Sequence, residues 1–232
     1  MKKLYALVLP VLAVAAFAVA PATALGTTAY GTCETATKAE EQHPPCGTLE
    51  KNFKAFPEGT TVNITTKGTT RFKLQTYEEP KPGEVVVKEE IECETLTDTG
   101  TVENVSGVGR SKENLVFSKC KVNTGALKGC KLSNITGNVS NQVTSATTVL
   151  ISIVTETPPG FGVVIASGQA APCTAGMSLG SVTGTATGTQ AAGSNLIVFS
   201  NAIGLTFLSG KARITGTDAI TETASGKKIY IN

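Results

Sequence analysis

From about residue 60 onward the chain is a series of short stretches in which apolar and polar side chains alternate. Phe72-Lys73-Leu74 and Ile91-Glu92-Cys93 show the alternation most plainly. A period of two is that of a β-strand with one buried and one solvated face. The expected strands are 60–66, 70–76, 85–94, 102–106, 114–122, 131–136, 143–155, 162–167, 178–187, 195–200, 203–207, 212–217 and 227–231. Gly68, Pro80-Lys81-Pro82-Gly83 and Gly107-Val108-Gly109 read as turns between them. The stretch 143–155 is long enough for a buried helix, but its Val, Thr, Ser and Ile content favours a strand or a bent hairpin arm. Many short strands spaced by about 8–12 residues predict an all-β fold: a single antiparallel β-sandwich, or its barrel-like variant, over 60–232. Residues 25–59 lack the alternation and read as an irregular N-terminal arm.

Composition reinforces this pattern. Thr is the commonest residue, with 35 copies, and there is no Trp. Charged residues make up 16% of the chain, well below the ~25% of ordinary globular domains. Such a mixture argues against a helical bundle and against an ordinary cytosolic enzyme. A mature chain of this length buries roughly 70% of its unfolded surface, enough for one domain to hold a core.

The N-terminus adds a compartment. Met1-Lys2-Lys3 is basic, Leu4 to Ala20 is apolar apart from Tyr5 and Pro10, and Ala22-Thr23-Ala24 supplies small residues. That order is the signature of a secretory signal peptide over 1–24, with Ala20 as the other cleavage position. A retained anchor is the alternative, but the apolar run is short for a span of ~20 residues. No later stretch is apolar enough to span a membrane as a helix, so the mature chain is expected to be secreted or surface-attached. Without Lys2 and Lys3 the basic count falls from 20 to 18 and equals the 18 acidic residues. A neutral mature chain offers no basic footprint for nucleic acid.

Six cysteines, Cys33, Cys46, Cys93, Cys120, Cys130 and Cys173, all follow the leader. An even number in an exported chain reads as a disulfide framework. Sequence proximity suggests Cys33–Cys46 and Cys120–Cys130, which leaves Cys93–Cys173. Metal ligation is a poor alternative, because no CxxC occurs and His43 is the only histidine.

Candidate chemistry is sparse. Nucleophilic catalysis through a histidine would have to use His43, which sits beside Pro44 and Pro45 in the Cys33–Cys46 loop. A glycosidase needs two carboxyl groups ~5–10 Å apart; Glu156, with Asp218 or Glu222, is the available set. Glu156-Thr157-Pro158-Pro159-Gly160 reads equally well as a solvent-facing turn. Phosphate loops, dinucleotide fingerprints and EF-hand loops are absent from the sequence, and no cofactor is expected. Asn63, Asn104, Asn134 and Asn138 stand in Asn-x-Ser/Thr triplets, relevant only in a glycosylating host. The most distinctive feature is a distribution: residues 132–210 contain one charged side chain, Glu156. Either these strands lie centrally with neutral outer faces, or they form a face that adheres to another copy, a wall polymer or an apolar surface.

Four blocks carry a resemblance. They are Ile91-Glu92-Cys93-Glu94 with Thr99-Gly100-Thr101-Val102; Leu115-Val116-Phe117-Ser118-Lys119-Cys120 with Cys130; Gly180-Ser181-Val182-Thr183-Gly184; and Leu205-Thr206-Phe207-Leu208-Ser209-Gly210-Lys211-Ala212-Arg213-Ile214-Thr215-Gly216-Thr217. Together they resemble uncharacterised secreted, cysteine-containing β-rich proteins of soil actinobacteria, over roughly residues 85–230. The 143–172 region departs from that group in being more apolar. Composition and cysteine rhythm also resemble, more weakly, secreted alkane-oxidation-activator-like proteins of pseudomonads. The resemblance implies export and a β fold; it implies no catalytic residue. The sequence therefore leads to an exported, non-enzymatic structural or adhesive protein. A secreted carbohydrate-active enzyme and a carrier of a small apolar ligand remain as alternatives.

Overall fold

The computed structural model describes residues 28–35, 46, 51–145, 148–153, 160–190 and 194–232. The leader expected at 1–24, His43 and Glu156 lie outside the described residues. The fold is all-β and antiparallel. Its strands are β1 (Tyr30–Thr35), β2 (Lys51–Ala55), β3 (Val62–Gly68), β4 (Phe72–Lys81), β5 (Glu84–Val105), β6 (Val108–Val122) and β7 (Ile135–Ser145). They continue as β8 (Thr148–Ile153), β9 (Phe161–Val164), β10 (Ser178–Gln190), β11 (Leu196–Phe207), β12 (Gly210–Glu222) and β13 (Ile229–Ile231).

The pairings close on themselves, so the barrel-like form of the sandwich is the one adopted. β5 pairs with β6, β6 with β7, β7 with β8, β8 with β10, β10 with β11 and β11 with β12. β12 then pairs with both β3 and β4, and these pair with β5. β3 and β4 share one place in the ring, separated at residues 69–71; β8 and β9 share another, since both pair with β10. Closure gives the long strands of the ring a partner on both sides, with the short β9 paired to β10 alone, which limits the template for uncontrolled strand addition.

Several expected strands merge in the structure. Residues 85–94 and 102–106 belong to one long strand, β5, because Gly100 sits inside it facing Glu113 on β6. A Cβ on Gly100 would collide with the Lys112 carbonyl and the Glu113 side chain, so glycine here marks close approach and not a turn. The β5–β6 reversal falls at Ser106-Gly107, both with positive φ (54° and 73°), as a two-residue hairpin requires. The 143–155 stretch is not one strand but the end of β7, a reversal and β8.

Inward positions are apolar and outward ones polar. Leu96 and Val102 on β5, Leu115 on β6, Val139 and Val143 on β7, and Phe199 and Leu205 on β11 are buried inside the ring. This polarity is the reverse of a membrane-spanning barrel, whose lipid-facing band is apolar. No described helix is long and apolar enough to cross a bilayer. Phe72, Phe117 and Phe161 form a chain of edge-on rings, with centroids 5.5 and 5.9 Å apart. The chain needs empty space opposite it: a Cβ on Gly137 would lie 2.6 Å from a Phe161 ring carbon.

The N-terminal arm is disulfide-tied, as expected, and also supplies two strands. β1 pairs with β2 on one side and with β13 on the other, forming a small separate sheet. Asn104 at the end of β5 fastens this sheet to the ring. Its Oδ1 accepts from Tyr30 N at 2.8 Å, and its Nδ2 donates to the Tyr30 and Phe56 carbonyls at 2.9 Å each. A buried Asn104 engaged in three bonds is no surface acceptor for glycan.

The disulfides are Cys33–Cys46, Cys93–Cys120 and Cys130–Cys173. The first pairing matches the expectation; the expected Cys120–Cys130 and Cys93–Cys173 do not form. Register is the reason. Cys93 and Cys120 are directly opposite on β5 and β6, with Cα atoms 4.0 Å apart, so pairing by nearness in sequence loses to nearness across the hairpin. Cys130, in the β6–β7 connection, is left to hold the 165–177 segment through Cys173. Three disulfides are consistent with an extracellular location.

Candidate functional site

Two features stand out from this architecture: a polar group inside the ring and a charge-free half of its outer wall.

The inner group comes from strands whose inward positions are otherwise apolar. Asp98 follows Leu96 on the inward side of β5, Glu113 precedes Leu115 on β6, and Asp218 precedes Ile220 on β12. These three acids are only 2%, 7% and 7% exposed. Thr66 on β3, Ser111 on β6, Asn141 on β7, Gln190 on β10 and Tyr30 from the small sheet are buried around them. Glu113 is the best satisfied: its Oε1 accepts from Ser111 Oγ and Asn141 Nδ2, each at 2.5 Å. Both carboxyl oxygens of Asp98, Oδ1 of Asp218, Oδ1 of Asn141, Nε2 of Gln190, Oγ1 of Thr66 and the Tyr30 hydroxyl have no partner of normal hydrogen-bond geometry.

An ionised carboxylate in such surroundings is costly, and acids respond by holding their protons. Burial, and next the neighbouring Glu113 carboxyl, push Asp98 up to about 10. Burial, and again Glu113, push Asp218 well above the usual carboxylate range. Burial raises the Tyr30 phenol too, with Glu113 adding to it. Asp98 and Asp218 are the only two aspartates in the chain, and both face the interior.

Beside this group lies an internal chamber of about 90 Å³. Its walls are mainly apolar, including Phe72, Leu96, Phe117, Phe161 and Phe199; Glu113, Asn141 and Asp218 bring polar atoms to it. Lys73 also lines it, but its Nζ pairs with Glu90 and Glu92 at 3.5 and 3.6 Å. Asn141 is shared with a polar surface groove of about 560 Å³ formed by β5, β6 and β7, where Glu103, Arg110 and Lys112 line the wall. Among the described residues, no three metal-ligating side chains are grouped so as to hold an ion.

The outer wall divides in two. On β4, β5, β6 and β12 charges are abundant and paired: Arg71–Glu92 at 2.8 Å, Lys88–Glu78 at 2.9 Å and Lys211–Glu79 at 3.4 Å. There, burial works against ionised Glu90, but hydrogen bonds from Asn123 and Gln75 and the Lys73 charge outweigh it and hold that carboxyl low. The adjoining β7, β8, β10 and β11 form the other half. Its exposed side chains include Asn138, Gln142 and Thr144 on β7, Thr185, Thr187 and Thr189 on β10, and Ser200 and Thr206 on β11. Thr183 and Thr206 are hydrogen-bonded to each other at 2.7 Å across β10 and β11. Segment 132–210 is thus neither a buried middle nor a detached patch. Its described residues line the core with one face and show a surface without charged side chains, rich in hydroxyls, with the other.

Of the acids considered from sequence, Asp218 lies in the interior group and Glu222 does not. They stand four residues apart on β12, about 13 Å along an extended strand. Asp218 is buried, whereas Glu222 is half-exposed and accepts from Ser225 Oγ. They do not face each other across a cleft. Asp98 and Glu113 were not anticipated as site residues. The chain matches no protein-family model, and no curated protein or solved structure matches it.

Proposed function

We propose that the protein is an exported, non-enzymatic surface-associated protein that adheres through the uncharged wall formed by β7, β8, β10 and β11. The observation that carries this reading is the continuity of that wall: β7, β8, β10 and β11 are neighbours with no Lys, Arg, Asp or Glu among their described residues, and the exposed side chains of β7, β10 and β11 are Thr, Ser, Asn and Gln apart from Ile203. Charged groups resist dehydration, and the centres of protein interfaces are depleted in them. A hydroxyl face loses less on contact and supplies both donors and acceptors. On β10, Thr185, Thr187 and Thr189 repeat every second residue, ~7 Å apart, so one strand offers a regular row to an extended, uncharged partner such as a neutral wall polymer.

The test is retention. The protein is applied to insoluble neutral cell-wall polysaccharide and to apolar beads, and its association state is followed by sedimentation over a wide concentration range. A Thr185→Lys/Thr187→Lys/Asn138→Lys variant should be retained at least tenfold less while keeping its thermal midpoint. A protein that stays monomeric at high concentration and binds neither material refutes the proposal, and so does undiminished retention of the triple variant.

A further inference from the structure

The interior group goes beyond this reading and does not depend on it. Its composition is one-sided. Three carboxyl groups, Asp98, Glu113 and Asp218, converge inside the ring, and no described Lys or Arg is buried there to balance them. Two residues lining the chamber, Asn141 and Asp218, each keep an unpartnered Oδ1, and each residue is 7% exposed. Asn141 has already committed its amide nitrogen to Glu113, so what it offers the chamber is an acceptor. Glu113 and Lys73 line it too, the Lys73 Nζ being paired with Glu90 and Glu92, and the remaining walls are apolar. What complements such a chamber is a donor-rich cation on a small apolar body.

We infer that the chamber is a binding site for a short aliphatic primary amine, with its nitrogen at Asp218, Asn141 and Glu113 and its hydrocarbon among Phe72, Leu96 and Phe199. An ammonium group has three donors and no acceptor, which suits the acceptors on the three polar lining residues. Size sets the limit. A cavity of about 150 Å³ accommodates benzene, so about 90 Å³ suits a molecule of roughly four or five heavy atoms. The balance of protons follows. Bound as a cation against an Asp218 that is protonated when the site is empty, the amine displaces that proton to solvent. Tyr30 from β1, Asp98 from β5 and Glu113 from β6 are the other titratable groups facing Asp218.

The experiment uses isobutylamine, with isobutanol as the uncharged counterpart, titrated into the disulfide-bonded protein by NMR and calorimetry. Isobutylamine should bind saturably at least tenfold tighter than isobutanol. Its affinity should rise as pH rises from 6 to 8, with proton release seen as a buffer-dependent heat. Asp218→Asn should remove the preference for the amine and its pH dependence while leaving isobutanol binding within about threefold. Should Asp218→Asn not fold, Asn141→Leu keeps all three carboxyl groups and should weaken amine binding at least fivefold. Equal binding of the two probes, no saturable binding of either, or variants indistinguishable from the parent overturns the inference.

Discussion

Asp98→Asn is the sharpest probe of the interior. Asp98 is 2% exposed, its carboxyl oxygens have no partner of normal geometry, and its proton is held to about pH 10. In the unfolded chain the same group ionises near 3.8. A folded-state value raised above the unfolded one gives stability that is complete below about pH 3.8 and is lost as pH climbs toward 10. Within that window the loss is about 1.4 kcal/mol per pH unit for one group. At pH 7 the accumulated penalty has a ceiling of about 4 kcal/mol, since water reaching the carboxylate reduces it. Asparagine has the shape of the protonated acid and does not titrate. The substitution should therefore be nearly neutral at pH 4 and stabilise by about 2–4 kcal/mol at pH 7, or very roughly 5–15 °C in thermal midpoint for a chain of this size. The assay is reversible thermal or urea unfolding of parent and variant at each half unit from pH 4 to 9. The parent curve should fall with pH and the variant curve should fall less steeply; the slope that remains is expected from Asp218. Parallel curves, or a variant that loses stability equally at pH 4 and pH 8, would show that Asp98 is not held neutral in the fold, and the reasoning would fail.

Three further outcomes follow from packing and covalent structure. Non-reducing peptide mapping should recover Cys93 joined to Cys120 and Cys130 joined to Cys173; a peptide joining Cys120 to Cys130 would contradict the observed register. The paired replacement Cys93→Ser/Cys120→Ser should cost about 2–4 kcal/mol in urea unfolding, typical of a lost native bridge. Gly137→Ala should cost about 1–3 kcal/mol by the same assay, because its methyl group would push on the Phe161 ring. A neutral result there would mean the aromatic chain has slack.

The strand content and the antiparallel class were legible because a two-residue period survives in most of the ring. Closure was not, since it depends on β12 meeting β3 and β4, and no local pattern encodes which ends of a long meander join. The small sheet escaped notice for a similar reason. β1 finds its partners in β2 and in β13, about 200 residues further on, and Tyr-Gly-Thr-Cys-Glu-Thr carries little alternation by itself. The disulfide error shares that origin: Cys120 is 10 residues from Cys130 in sequence, but its register partner is Cys93.

The interior acids were readable in principle, and parity is how. Along β5 beyond Cys93 the buried positions run Leu96, Asp98, Val102 and Asn104, all even, whereas the buried Ile91 and Cys93 before them are odd. Along β6 as far as Leu115 they run Ser111, Glu113 and Leu115, all odd, before Cys120 and Val122 change to even, and along β12 they include Ala212, Asp218 and Ile220, all even. Each acid stands on the same parity as the core residues of its own half of the strand, so a strand framed on those residues places a carboxyl group inside. Two flanking threonines hid Asp98, because Thr97-Asp98-Thr99 looks like a polar turn when strands are assumed to be short. The readable alternation Ile91-Glu92-Cys93 has its buried positions odd, and the parity changes between Cys93 and Leu96, so extending it through Asp98 puts that acid on the outer face. Gly100 lies in the stretch left between the expected strands 85–94 and 102–106, whereas in the ring it is the small residue that leaves room for Glu113 on the facing strand. An acid on core parity beside a glycine mid-strand is the pattern that marks a polar group built into a barrel interior.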